Sequence, residues 1–311
     1  YCSVRGFKTN RIPKYEVVST SLNEKGAYLM KNLKIICDSL SDVPKDLLDK
    51  YDIDIVSLTV ILEEREYKDR IDISGDEFYK RLREENVYPK TSQATYAQFK
   101  EIFEKYTNED REILYIAGSA TATGTYQSAV MAKNDVDGKI YTYDSNLLCM
   151  GTGLLVIKAG ELASEGKSIA EILPVLDELK EKAFVIFSVD TLEYLQKGGR
   201  ISSTKAAIGS ILNIKPILEI RDGLVSQISQ VRGKKYVISK MMELIKSNCG
   251  DDLSDQIVYI GYSDDFKEKE QLSKVMQDEL RPKEIRFFQI GVCIGAHAGP
   301  GVTGIICLKN K

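Results

Sequence analysis

Leu33-Lys34-Ile35-Ile36-Cys37-Asp38-Ser39 is an apolar run closed by two small polar residues, and reading it as a buried strand sets the fold of the chain after it. Pro44 then opens a helix to about Lys50, with Ser41 or Asp42 as its cap, because proline suits a first helical turn. Further strands are expected at Ile53–Leu62, Glu112–Ala117, Lys139–Tyr143 and Phe184–Ser188. Ser74-Gly75-Asp76-Glu77 and Thr95-Tyr96-Ala97-Gln98 are capping-box patterns that open helices to about Glu85 and Tyr106. Other helical stretches fall at Gly124–Lys133, Cys149–Glu165 and Ser168–Lys182. Strands separated by helices of this length imply right-handed crossovers and a parallel sheet covered on both faces.

The pattern changes near residue 190. Ile214–Ile220 and Leu224–Val231 flank Arg221-Asp222-Gly223, a hairpin turn signal. A helix over about Lys234–Ser247, a strand Gln256–Tyr262, a helix to about Glu279 and strands Glu284–Ile290 and Val302–Leu308 complete the chain. The expected fold is α/β in two domains. A leader or appended extension covers residues 1–31, a parallel α/β sandwich 32–188, and an α+β domain 189–311.

At 311 residues, with 43% hydrophobic and 29% charged, the composition is that of a folded globular chain. The net charge of -3 gives no general attraction to nucleic acid or anionic lipid, and neither is expected as a partner. No apolar run reaches the roughly 18 residues that span a bilayer, so stable membrane insertion is not expected. The six cysteines (Cys2, Cys37, Cys149, Cys249, Cys293, Cys307) form no C-x-x-C pair, and several sit in strand-like runs, the usage of reduced thiols in a cytoplasmic protein. His297 is the only histidine, which excludes multi-histidine zinc sites, and no metal is expected.

Three hydroxyl- or glycine-rich segments sit at element ends: Lys90-Thr91-Ser92-Gln93-Ala94-Thr95, Gly118-Ser119-Ala120-Thr121-Ala122-Thr123-Gly124-Thr125, and a loop Gly295-Ala296-His297-Ala298-Gly299-Pro300-Gly301. Open amides at a helix start, with hydroxyls beside them, suit a carboxylate or phosphate. The competing reading is that Thr91, Thr95 and Thr123 only cap helices or turns. His297 is either an anion donor or acid, or a structural histidine. No G-x-x-x-x-G-K-[ST] or G-x-S-x-G motif is present, so no nucleotide cradle or serine-hydrolase elbow is expected. Arg200 beside Gly198-Gly199, and the Arg232-Lys235 cluster, are either contact points or surface residues. Asp38 and Asp144 follow strands and suit capping.

Taken in order, Cys37-Asp38-Ser39-Leu40-Ser41-Asp42, Thr91-Ser92-Gln93, Gly124-Thr125-Tyr126-Gln127-Ser128-Ala129, Leu195-Gln196-Lys197-Gly198-Gly199-Arg200-Ile201, Leu212-Asn213-Ile214-Lys215-Pro216-Ile217-Leu218 and His297-Ala298-Gly299-Pro300-Gly301 resemble the DegV family, whose members bind fatty acids. The resemblance runs from about Lys34 to Leu308. It implies a lipid site between two lobes, with no cofactor or catalytic residue of the chain's own. The long-chain fatty acid's carboxylate would be held at Thr91 and Thr123, with Ser92, Ser119 and Gly124 close by and His297 near the head group. Arg200 and Arg232 match arginines associated with phosphorylation and with a partner, a separate ATP-dependent fatty acid kinase that makes acyl phosphate for phospholipid synthesis. Ala94, Thr123, Ala296 and Ala298 stand where the family more often has proline, serine and two threonines. Alternatives are an enzyme acting directly on a small anionic substrate at the same loops, and a protein-interaction module.

Overall fold

The computed structural model describes residues 32–85, 87–201 and 213–310. The leader with Cys2, and Leu212 at the start of the Leu212–Leu218 segment, lie outside them. In chain order the elements are β1 (Leu33–Asp38), a 3-10 turn (Ser39–Ser41), α1 (Lys45–Lys50), β2 (Ile53–Val56), β3 (Thr59–Leu62), β4 (Arg65–Lys68), α2 (Gly75–Glu85), β5 (Lys90–Ser92), α3 (Tyr96–Thr107), β6 (Glu112–Ala117), α4 (Thr125–Asn134) and β7 (Ile140–Asp144). There follow α5 (Met150–Ser164), α6 (Ile169–Lys182), β8 (Ala183–Ser188), α7 (Glu193–Lys197), β9 (Ile214–Arg221), β10 (Leu224–Arg232), a 3-10 turn (Lys234–Tyr236) and α8 (Val237–Cys249). The last are β11 (Ile257–Tyr262), α9 (Phe266–Leu280), β12 (Glu284–Gln289), α10 (Val292–Ala298) and β13 (Thr303–Leu308).

The expected α/β architecture is present. A four-stranded sheet, β2-β1-β6-β7, is parallel throughout. A six-stranded mixed sheet has the order β10-β9-β8-β13-β11-β12. Strand β8, expected as the last of the first layer, belongs to this second sheet and pairs antiparallel with β13 and β9. Its apolar sequence fits either layer; only pairing with the chain's last strand decides between them. Ile53–Leu62 is likewise two strands. β2 stays in the parallel sheet, while β3 turns away at Ser57-Leu58 into a small sheet, β4-β3-β5, with the Leu58 N–H held by Ser39 Oγ at 3.0 Å.

The local signals mostly hold. Thr95 and Gln98 form a reciprocal capping box. The Asp222-Gly223 turn has φ of 51° and 76°, the positive pair that a tight antiparallel hairpin requires. At the start of α1, Pro44 occupies the cap position without a side-chain bond, and Asp42 instead takes a left-handed conformation closing the preceding 3-10 turn, so neither Ser41 nor Asp42 caps the helix. Asp38 does cap. Its carboxylate accepts from Leu40 N at 3.1 Å, Tyr115 Oη at 2.7 Å and Gly118 N at 3.1 Å, drawing the carboxyl ends of β1 and β6 together.

Helix α5 lies at the junction of the layers, and its glycines set how closely. A Cβ on Gly151 would come within 2.9 Å of Val185 Cγ2, one on Gly160 within 2.8 Å of Tyr51 Cβ, and one on Gly153 would strike the Ser41 carbonyl and Met150 Sδ. Alanine exceeds glycine in helix propensity by roughly 1 kcal/mol, so on an exposed helix the exchange would stabilise. At Gly153 the obstacle is backbone, which cannot turn aside. Gly153→Ala is expected to lower the denaturation midpoint, measured by urea titration of circular dichroism; a raised midpoint would contradict this packing.

Candidate functional site

A cavity of about 420 Å³ lies between the carboxyl edge of the parallel sheet and one face of the larger sheet, within the range of small-molecule sites. Its floor comes from a cross-strand row. Phe187, Gly304, Gly261 and Phe288 are register partners on β8, β13, β11 and β12, and paired residues present their side chains to the same face. Two glycines in the middle of the row leave a trough, walled by the two phenylalanines. The Phe288 ring leans over Gly261, where a Cβ would sit 3.0 Å from Cε1. Val185, Ile306, Val302, Ile220 and Val225 extend the apolar surface, and Leu40, Leu58, Leu148 and Ile294 face it from the other layer.

The polar groups are contiguous. Thr91, Ser92, Gln93, Thr123, Gly124, Arg200 and His297 all line the cavity. Thr91 and Ser92 sit on the short strand β5, not in a loop. His297 occupies the last turn of α10, where a loop between strands was expected; Gly299, with φ of 78°, ends the helix. Thr91 Oγ1 and His297 Nε2 are 2.8 Å apart. Gly124 is glycine because the Gln93 carboxamide fills the space of its Cβ. Gln93 Nε2 donates to Ser128 Oγ at 3.0 Å, which fixes that amide.

Proton accounting identifies the free donors. Thr125 Oγ1 accepts from Ala94 N at 3.3 Å and lies 3.0 Å from Thr123 Oγ1. Thr123 Oγ1 also accepts from Thr125 N at 3.3 Å. With the Thr125 hydrogen directed to Thr123, the Thr123 hydroxyl keeps its own for the cavity. Gly124 is the N-cap of α4; Thr123, one residue before it, closes the turn onto the first helical amide and also lines the cavity. When His297 carries its proton on Nε2 and donates to Thr91, the Thr91 hydroxyl is free in the same way. Burial, and then the Arg200 charge, push the His297 pKa down to about 4, so the imidazole is neutral at pH 7. Its Nδ1 is buried with no partner among the described residues. Arg200 Nη1 donates to the Gly198 carbonyl at 2.6 Å.

Ser119 and Arg232 are not in the cavity lining. Ser119 is buried within the turn after β6, where its Oγ accepts from Thr121 N at 3.2 Å. Arg232 is exposed at the end of β10. Asp144 accepts from Ala120 N and Asn146 N, a turn-closing role at the same edge. Unforeseen in the sequence were Gln93, Cys149 and the floor residues. A lone glycine inside each of two strand patterns, Ile260-Gly261-Tyr262 and Thr303-Gly304-Ile305, is the signal that could have found the trough. Cys149, with φ of 56°, lines the cavity and donates its thiol to Asp42 Oδ2 at 2.9 Å; burial raises that thiol's pKa far above the usual, so it is not a nucleophile. Among the described residues no cluster of three or more His, Cys, Asp or Glu is placed to hold a metal ion, and no helix is long and apolar enough to cross a membrane.

His297 is protonated less readily folded than unfolded, so its contribution to stability is intact above pH 6.5 and is lost as pH falls towards about 4. Asp38 and Asp42, raised by burial to about 6 and about 7, act in the opposite sense, which makes the informative quantity a difference between proteins. Between pH 7 and 4.5 the wild type is expected to lose on the order of 2 kcal/mol more stability than His297→Asn, measured by urea denaturation. As the only histidine, His297 also gives an uncrowded NMR titration, with a midpoint expected well below 6.5.

The DegV family model, described as "Uncharacterised protein, DegV family", matches residues 32–310. A DegV domain-containing protein of Caldanaerobacter subterraneus subsp. tengcongensis is 38% identical over 277 residues, covering 89% of this chain and 98% of the relative. The structure is similar to that of a DegV family protein from Thermus thermophilus, reported for its fatty acid binding, with TM-score 0.82 and 30% identity over 90% of this chain and 100% of the other. It is also similar to a stearic acid-binding protein from Eubacterium ventriosum, with TM-score 0.80 and 27% identity over 89% and 98% of the two chains.

Proposed function

This chain belongs to the DegV family, and from that premise we propose that it binds a long-chain fatty acid. The carboxylate sits at Thr91 and Thr123, with Ser92, Gly124 and His297 beside it, and the tail lies in the trough over Gly304, against the Phe288 ring that covers Gly261. The observation that carries this reading is a single hollow, apolar along the floor, whose hydroxyl, amide, imidazole and guanidinium groups are all contiguous. An amphiphile with one anionic end has that distribution of chemistry. Each methylene removed from water contributes about 0.8 kcal/mol, so the tail dominates affinity. Moving a lone carboxylate out of water costs several kcal/mol, which the hydroxyls and Arg200 offset.

In the further reading, the protein acts as a cytoplasmic carrier without catalysis of its own. It presents the head group to a separate ATP-dependent fatty acid kinase. Arg200 at the polar end is placed to meet the acid or its phosphate, and the exposed Arg232 is free to contact a second protein.

Native mass spectrometry of the purified chain is expected to show a bound fatty acid. Thr91→Val and Thr123→Val each remove a hydroxyl at nearly constant volume and are expected to weaken binding by about tenfold or more, the worth of one hydrogen bond to a charge; Thr91→Val also breaks the bond to His297 Nε2 and is expected to lower the melting temperature somewhat, while the variant stays folded. Full lipid occupancy in both variants would overturn the head-group assignment. Arg232→Ala is expected to leave lipid binding intact and to reduce acyl phosphate formation by such a kinase; unchanged formation would overturn the arginine's role.

A further inference from the structure

The acyl cavity and a second hollow share one lining residue, Ile306. Two residues along each strand from the glycine row lies a second row, Val185, Ile306, Tyr259 and Arg286, on the same face. Val185 and Ile306 line the acyl cavity. Ile306 also lines a second hollow of about 810 Å³, together with Tyr259 and Arg286. The two hollows follow one another along α5: Cys149, just before the helix, faces the first, and Leu154, Ile157 and Glu161 on its later turns face the second. Ile306 is buried, in the same apolar cluster as Val185, Tyr259 and Leu154. The second hollow has an apolar floor and a rim of charged side chains, Lys50, Lys158 and Lys182 among them. Glu161, Glu178 and Asp255 stand among these cations, and Leu154, Ile157, Val175 and Leu179 supply the apolar surface.

We propose that Ile306 is the chain-length stop of the acyl site. The methyl end of a bound acid abuts the Ile306 side chain, and the hollow beyond it receives the end of a longer tail only when that side chain is reduced. The inference rests on the proposed fatty-acid binding and adds the residue that selects among the acids. Ile306 is suited to this because its backbone is fixed by pairing on both sides, with Val185 and with Tyr259, so it cannot swing aside as a loop residue would. A β-branched side chain also has few rotamers with which to make room.

The test is competitive binding of a graded series of straight-chain saturated acids, read by native mass spectrometry. The wild type is expected to show a sharp upper limit in chain length. Ile306→Ala should move that limit to longer acids, by about fourfold in relative affinity for each further methylene buried. Ile306→Phe should move it the other way. Ile306→Val, which removes a single methylene, gives a milder shift and guards against misfolding of the alanine variant. Adding Leu154→Phe to Ile306→Ala obstructs only the second hollow and should restore the wild-type ranking, an effect that loss of packing alone would not produce. Folded variants that keep the wild-type ranking of acids would overturn the length stop while leaving fatty-acid binding standing. A wild type that binds no acid of the series would overturn the binding reading itself, and the length stop with it.

Discussion

The 2.8 Å hydrogen bond between Thr91 and His297 joins parts of the chain 206 residues apart. One partner lies on a strand of the smallest sheet, the other on the last helix before β13. Because burial keeps the imidazole neutral, the pair has one proton to place and two ways to place it. An anion arriving beside Thr91 favours the arrangement in which the hydroxyl points outward. The remaining polar side chains are built around this pair: Gln93 two residues further on, Gly124 against Gln93, and Thr123 next to Gly124. Gly198 leaves no room for a side chain against His297 Nδ1, so the segment carrying Arg200 also depends on where the imidazole stands.

The head of the cavity is therefore made mostly by the first layer, and its tail by the second. This division explains why neither half alone has the chemistry of the site. It also explains the position of α5, whose glycines press it onto the Ser41 carbonyl and onto Val185 at once. The helix sets the distance between the layers, and that distance sets the height of the hollow.

Much of this was legible in the sequence because it is local. The first strand, the Thr95–Gln98 capping box and the Asp222-Gly223 turn are specified by neighbours a few residues apart. The polar segments carrying Thr91 and Thr123 stood out in the same way, although capping and ligand contact read alike there, and it is the structure that places both residues on the cavity wall. The hidden part depends on long-range pairing. Phe184–Ser188 reads the same whichever sheet receives it, and its place in the second comes from β13, over a hundred residues later. The short helix that presents His297 was obscured by a glycine-rich stretch that reads as a loop, and Ser119 sits in the right segment yet turns inward. Strand glycines were visible, but their alignment in one row depends on register across four strands.

That alignment has a consequence for how the pocket adapts. Where a binding surface is made of side chains, it reshapes itself by changing rotamers, at small energetic cost. At Gly304 the surface is main chain held by hydrogen bonds from both sides, and no rotamer exists to change. The guest must bend to suit the mould. Curvature of the acid, set by its own torsions and double bonds, is then judged against a template that moves only if a whole strand does.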